Sequence, residues 1–111
     1  MATDDTTTDG LVELPEQVVA DLFASERRRF AVEILAERDG PMALDDLAAA
    51  VRARERGIEP AAVPDRERRS VRDAFFERHL PKLTATGVVE YDSMVATVAL
   101  ADDAVAGQHR P

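Results

Sequence analysis

Six basic side chains crowd one short stretch of the chain: Arg66, Arg68, Arg69, Arg72, Arg78 and Lys82. A guanidinium is a planar fork that can donate two parallel hydrogen bonds to the O6 and N7 edge of guanine, whereas Arg or Lys near a helix end is better placed to hold a phosphate. Arg72 and Arg78 are therefore the base-edge candidates, and Arg66, Arg68, Arg69 and Lys82 the phosphate candidates. The same stretch holds four acids, Asp65, Glu67, Asp73 and Glu77. Each arginine thus has a competing use in pairing with a neighbour three or four residues away, or with an acid across the fold. Other chemistry is poorly supported. There is no cysteine, which excludes disulfides, thiolate nucleophiles and Cys-ligated metal. The two histidines, His79 and His109, form no constellation, and no Gly-rich phosphate loop or nucleophile–base pair is present. The chain is not expected to be an enzyme, and no cofactor or metal is expected.

A rigid element must present those arginines. Arg66 to His79 has the spacing of a long helix, with Asp65 as its cap, and Val71, Ala74, Phe75 and Arg78 fall along one side while Phe76 and Leu80 diverge. So broad an apolar arc implies burial on two fronts, against the core and against the N-terminal helix or a second copy. Pro81 removes a backbone donor and should kink the chain at Leu80. Gly87 then lets it reverse into two short strands, Val88–Tyr91 and Thr97–Leu100, paired as a hairpin around Asp92 to Ala96. That connection carries no Arg or Lys, so this wing is expected to be structural.

Upstream, Glu16 to Phe23 reads as a short helix behind Pro15, and Ser25 caps a second that runs to about Arg38 with Phe30, Ala31, Ile34 and Leu35 inward. Arg27, Arg28 and Arg29 open that helix, where their charge opposes its dipole. They are read as solvated or paired with carboxylates rather than as phosphate contacts. Asp39-Gly40-Pro41 closes the helix, and Met42 to Leu44 is extended enough for a tiny third strand. A helix follows from Leu44 or Asp45, with Leu47, Ala48 and Val51 inward. The connector Gly57 to Asp65 contains Pro60 and Pro64 and is longer than the turn of a compact helix-turn-helix. These elements define a domain over 13–100, mainly α with a small β-hairpin. Acidic, threonine-rich residues 1–12 and residues 101–111, including His109, are read as flexible tails.

The charge balance is lopsided. Net charge is -8, and of 14 basic residues only Lys82 is lysine. A carboxylate-rich, lysine-poor surface is expected of a protein dispersed in molar salt, such as one from a halophilic archaeon. Against that background residues 65–82 are locally positive, six bases to four acids. The N-terminus has neither the basic nor the apolar part of a signal peptide, and no apolar run approaches bilayer length, so the expected location is cytoplasmic with no membrane partner.

Phe23-Ala-Ser-Glu-Arg-Arg-Arg-Phe30, Asp39-Gly40-Pro41 with Leu44-Asp45-Asp46-Leu47, and His79-Leu80-Pro81-Lys82-Leu83 leading into Gly87-Val88-Val89-Glu90-Tyr91-Asp92 resemble a family of small uncharacterised haloarchaeal domains. These look like winged helix-turn-helix proteins and are regarded as transcriptional regulators. The His-Leu-x-x-Leu block followed by Gly-Val-Val is distantly similar to the recognition helix and wing entry of arsenic-repressor-like regulators, which are dimers. That likeness implies Ala74, Glu77, Arg78 and Lys82 near a DNA groove, with Phe75, Phe76 and Pro81 as departures from its pattern. The resulting expectation is a homodimeric winged helix-turn-helix that binds double-stranded DNA through residues 66–83. The alternative is an interaction or dimerisation module, with Phe75, Phe76 and the N-terminal helix docking a protein partner.

Overall fold

The computed structural model describes residues 14–101. Helix α1 (Glu16–Leu22) starts behind Pro15, whose carbonyl accepts from the Val18 and Val19 N–H groups. Proline suits this place because a first-turn residue has no helical acceptor for an N–H. Helix α2 (Glu26–Ala36) is capped by Ser25, whose hydroxyl accepts from the Arg28 N–H. The two-residue strand β1 (Met42–Ala43) leads straight into α3 (Leu44–Arg56). Helix α3 ends at Gly57 with φ 69°, a left-handed conformation that glycine adopts without a Cβ penalty. The expected loop follows, tightened by a 3-10 turn at Pro60–Ala62.

Asp65 to Ala85 then forms a nearly continuous helical rod: α4 (Asp65–Ala74), a π-helical turn (Phe75–His79) and α5 (Leu80–Ala85). Asp65 is the first helical residue rather than a side-chain cap. The irregularity expected at Pro81 lies in the turn before it. Pro81 has no N–H to donate to the Glu77 carbonyl and its ring crowds that carbonyl. The backbone instead closes a wider loop, with the Leu80 N–H reaching the Phe75 carbonyl five residues back. This changes which side chains face inward. In an unbroken α-helix five residues overshoot a full turn by about 140°, which is why Leu80 reads as divergent in the sequence. The π turn absorbs that excess, and Phe75, Leu80 and Leu83 are all buried.

Strands β2 (Val89–Asp92) and β3 (Thr97–Leu100) pair antiparallel with Val89 opposite Leu100, and β1 adds to β3 with Met42 opposite Val98. The sheet order is β1-β3-β2. It is pinned at both ends, by Leu44 N–H to the Ala96 carbonyl at 2.9 Å and by Ala101 N–H to the Val88 carbonyl at 3.0 Å. Ala101 is buried, so ordered packing runs one residue past the expected domain edge. The rest of both expected tails, with His109, lies outside the described residues.

The core joins α2 (Ala31, Ile34, Leu35), α3 (Leu47, Val51), the rod (Phe75, Leu80, Leu83) and the sheet (Val88, Val89, Val98). Helices α3 and α4 pack closely along their length. Small side chains suit that approach, and Ala48 on α3 and Val71 on α4 are both buried. The architecture is thus mainly helical with a small three-stranded antiparallel sheet. No helix among the described residues is long and apolar enough to cross a membrane.

Candidate nucleic-acid interface

The rod divides the six basic residues into two sets. Arg66, Arg69 and Arg78 are exposed and take part in none of the ion pairs formed among the described residues. The other three are engaged. Arg72 donates to Asp45 at 2.9 Å, at the first turn of α3, and to Asp73 at 3.2 Å. Arg68 donates to Asp65 at 2.7 Å and lies 4.0 Å from Asp45. Lys82 pairs with Asp21 on α1. Asp45 therefore sits between Arg68 and Arg72, and its charge also favours the positive end of α3. This clamp sets the α3–α4 crossing. Arg72 and Arg68 tie α4 to α3, while Arg66, Arg69 and Arg78 keep donors free of any ion pair among the described residues.

A second network fixes the rod from the other side. Arg27 on α2 binds Glu55 on α3 at 2.6 Å, Glu55 takes a further bond from Arg52 at 3.0 Å, and Arg52 reaches Glu67 on α4 at 3.1 Å. Arg56 completes the chain to Glu67 at 3.0 Å. Burial raises the Glu55 pKa, but hydrogen bonds and charge from Arg27 and Arg52 outweigh it and leave that carboxyl below its ordinary value. The partners are 28 residues apart for Arg27 and Glu55, so local spacing gives no sign of them.

The arginine triplet of α2 has three fates. Arg27 joins the network, Arg29 donates to the Phe23 carbonyl, and Arg28 is buried. Its Nε donates to the Leu22 carbonyl at 2.7 Å and one Nη to the Asp21 carbonyl at 2.8 Å, satisfying the C-terminus of α1. Its other Nη lies 3.1 Å from His79 Nδ1 in the π turn. Arginine can only donate, so Nδ1 is the acceptor and the imidazole is neutral. Half-burial of His79, then the charge of Arg28, hold its pKa below the usual 6.5. The signal was present in the sequence, because Arg28 precedes Ala31, Val32 and Leu35 at helical spacing and thus heads the core stripe.

The β2–β3 hairpin supplies no cation. Glu90 and Asp92 are exposed on β2, and the Asp92 carboxylate accepts the Met94 N–H, shaping a turn that leaves Met94 and Val95 in solvent. Phe76 is 47% exposed and meets Tyr91 edge-on at 5.7 Å, linking rod to hairpin. Phe75, its neighbour, is buried in the core.

Residues 20–99, from α1 into β3, match the family described as Domain of unknown function (DUF7344). The chain belongs to this family. The DUF7344 match spans the whole rod and both of its clamps, so they lie inside the family unit. No curated protein and no solved structure matches the chain.

Proposed function

We propose that this DUF7344 domain is a winged helix-turn-helix that binds double-stranded DNA, with α4 as the reading helix. One observation carries the reading: a braced rod presents three exposed guanidiniums, Arg66, Arg69 and Arg78, unpaired among the described residues, in a chain whose net charge is -8. The order helix, strand, two helices, hairpin, with a β1-β3-β2 sheet, is the arrangement that seats such a helix for the major groove. Arg66 and Arg69, near the start of α4, suit base edges and the flanking phosphates, and Arg78 suits a backbone contact further along. The domain acts in transcription as a homodimer whose two rods stand about one helical turn of DNA apart, in the salt-rich cytoplasm of a halophile. The decisive experiment is fluorescence anisotropy with random-sequence duplex across a potassium chloride series. Saturable binding that Arg66→Ala with Arg69→Ala weakens supports the reading, and undetectable binding by the folded wild-type chain across the whole series removes it.

A second reading has its own support. Exposed Phe76, Met94 and Val95 beside the acidic residues Glu90 and Asp92 describe a wing suited to a protein partner rather than to phosphates. If Met94→Ser with Val95→Ser blocks capture of a protein while DNA binding is undetectable, the domain is an interaction module.

A further inference from the structure

The long connector has a structural consequence beyond joining two helices. Gly57 to Val63, tied to α3 by the Ile58 N–H on the Ala53 carbonyl, walls with the end of α2 an open groove of about 970 Å³. Its floor is the small-residue face of α3, Ala49, Ala50 and Ala53, and its apolar flanks are Ile34, Ile58 and Val63. That size and lining suit a small, largely apolar molecule. The charged groups at the groove are mostly matched to one another: Arg54 is bound to Glu37, and Arg68 to Asp65. Two lining residues form no ion pair among the described residues, one of each sign, Arg38 and Asp46. The Arg68 Nε is shut off from solvent and faces Asp45 at 4.0 Å, so it is not open to the groove.

We propose that this groove binds a small zwitterion with an apolar or aromatic side chain, an α-amino acid, whose carboxylate is met by Arg38 and whose ammonium is met by Asp46. The side chain lies over the alanine floor, where a larger residue than alanine would fill the space. Neither a simple anion nor a simple cation matches a groove that offers one free charge of each sign. Binding here is independent of DNA, because it makes no use of the exposed face of α4.

Three probes test it: phenylalanine, phenylpropionate, which lacks the ammonium, and phenethylamine, which lacks the carboxylate. Each is titrated into the full chain and followed by amide chemical shifts. Phenylalanine should give saturable shifts confined to α3 and the connector, with each truncated probe roughly tenfold weaker for want of one charge-assisted hydrogen bond. Arg38→Gln should erase the preference over phenethylamine, and Asp46→Asn the preference over phenylpropionate. Both side chains are exposed, so these variants are expected to fold. Ala50→Trp should block all three probes, its folding checked by an unchanged dispersion of core amides. Overturning results are an absence of saturable shifts with phenylalanine, equal affinity for the three probes, or preferences that survive both charge variants.

Discussion

Two adjacent phenylalanines make the sharpest contrast at the scale of single residues. Phe75 is 1% exposed and packs among Leu80, Leu83 and the sheet, whereas Phe76 is half exposed against Tyr91. Phe75→Ala should therefore destabilise the domain by about 3–5 kcal/mol, and Phe76→Ala by less than about 1 kcal/mol. Urea denaturation of the two variants checks this, and comparable destabilisation would contradict the π-turn register. Arg28 offers a second test. Replacing it with Ala strands the buried Leu22 carbonyl at the end of α1, while the Asp21 carbonyl keeps the Ala24 N–H, so a loss of about 1–3 kcal/mol is expected. His79 ties this region to pH. Its folded pKa lies below the usual 6.5, so the unfolded chain binds the proton more readily. The stability it contributes is complete above about pH 6.5 and declines as pH falls through the lower folded value. A His79→Gln chain should show a flatter midpoint between pH 7 and pH 5, and an unchanged slope would mean that another group titrates there.

The rod is the element that presents the arginines proposed to meet DNA, and its bracing is electrostatic as well as apolar. Asp45 holds Arg68 and Arg72, and Glu67 holds Arg52 and Arg56. Arg72→Ala should cost little stability, since exposed pairs are screened by solvent. Its effect on DNA affinity should be indirect, through the α3–α4 crossing, and Asp45→Ala should reproduce it. Arg66→Ala and Arg69→Ala should instead leave stability unchanged. Together they should lower the slope of log affinity against log salt by about 2, one for each phosphate no longer neutralised. Measuring slope and stability on the same variants separates groups that touch the ligand from groups that aim the helix.

At the scale of the whole molecule the net charge of -8 is the governing quantity. Self-repulsion among carboxylates destabilises the compact state at low ionic strength, and the Debye length shrinks to about 3 Å at 1 M salt. The thermal midpoint should rise between 0.1 M and roughly 2 M potassium chloride while the same salt weakens phosphate binding. A midpoint that falls over that range would show that the ion-pair networks outweigh the repulsion.

Local pattern carried much of this architecture into view. Apolar residues at helical spacing, Pro15 and Ser25 at helix starts, Gly57 and Gly87 at reversals, and the alternation of β2 and β3 specify their elements because each signal acts within a few residues. The tiny strand at Met42 was legible for the same reason, as was the cluster of arginines on the rod. What those arginines do was not. Asp45 and Arg72, Arg27 and Glu55, and Arg28 and His79 are brought together only by packing, and a charge has no sequence mark of which distant partner it will meet. The π turn is likewise a tertiary decision: it lets Leu80 join Phe75 in the core despite Pro81, at the expense of one regular helical turn. The sequence by itself determined which groups could hold a ligand. The fold decided which of them remain available, since the ion pairs that orient the helix use the same guanidiniums that could otherwise have read it.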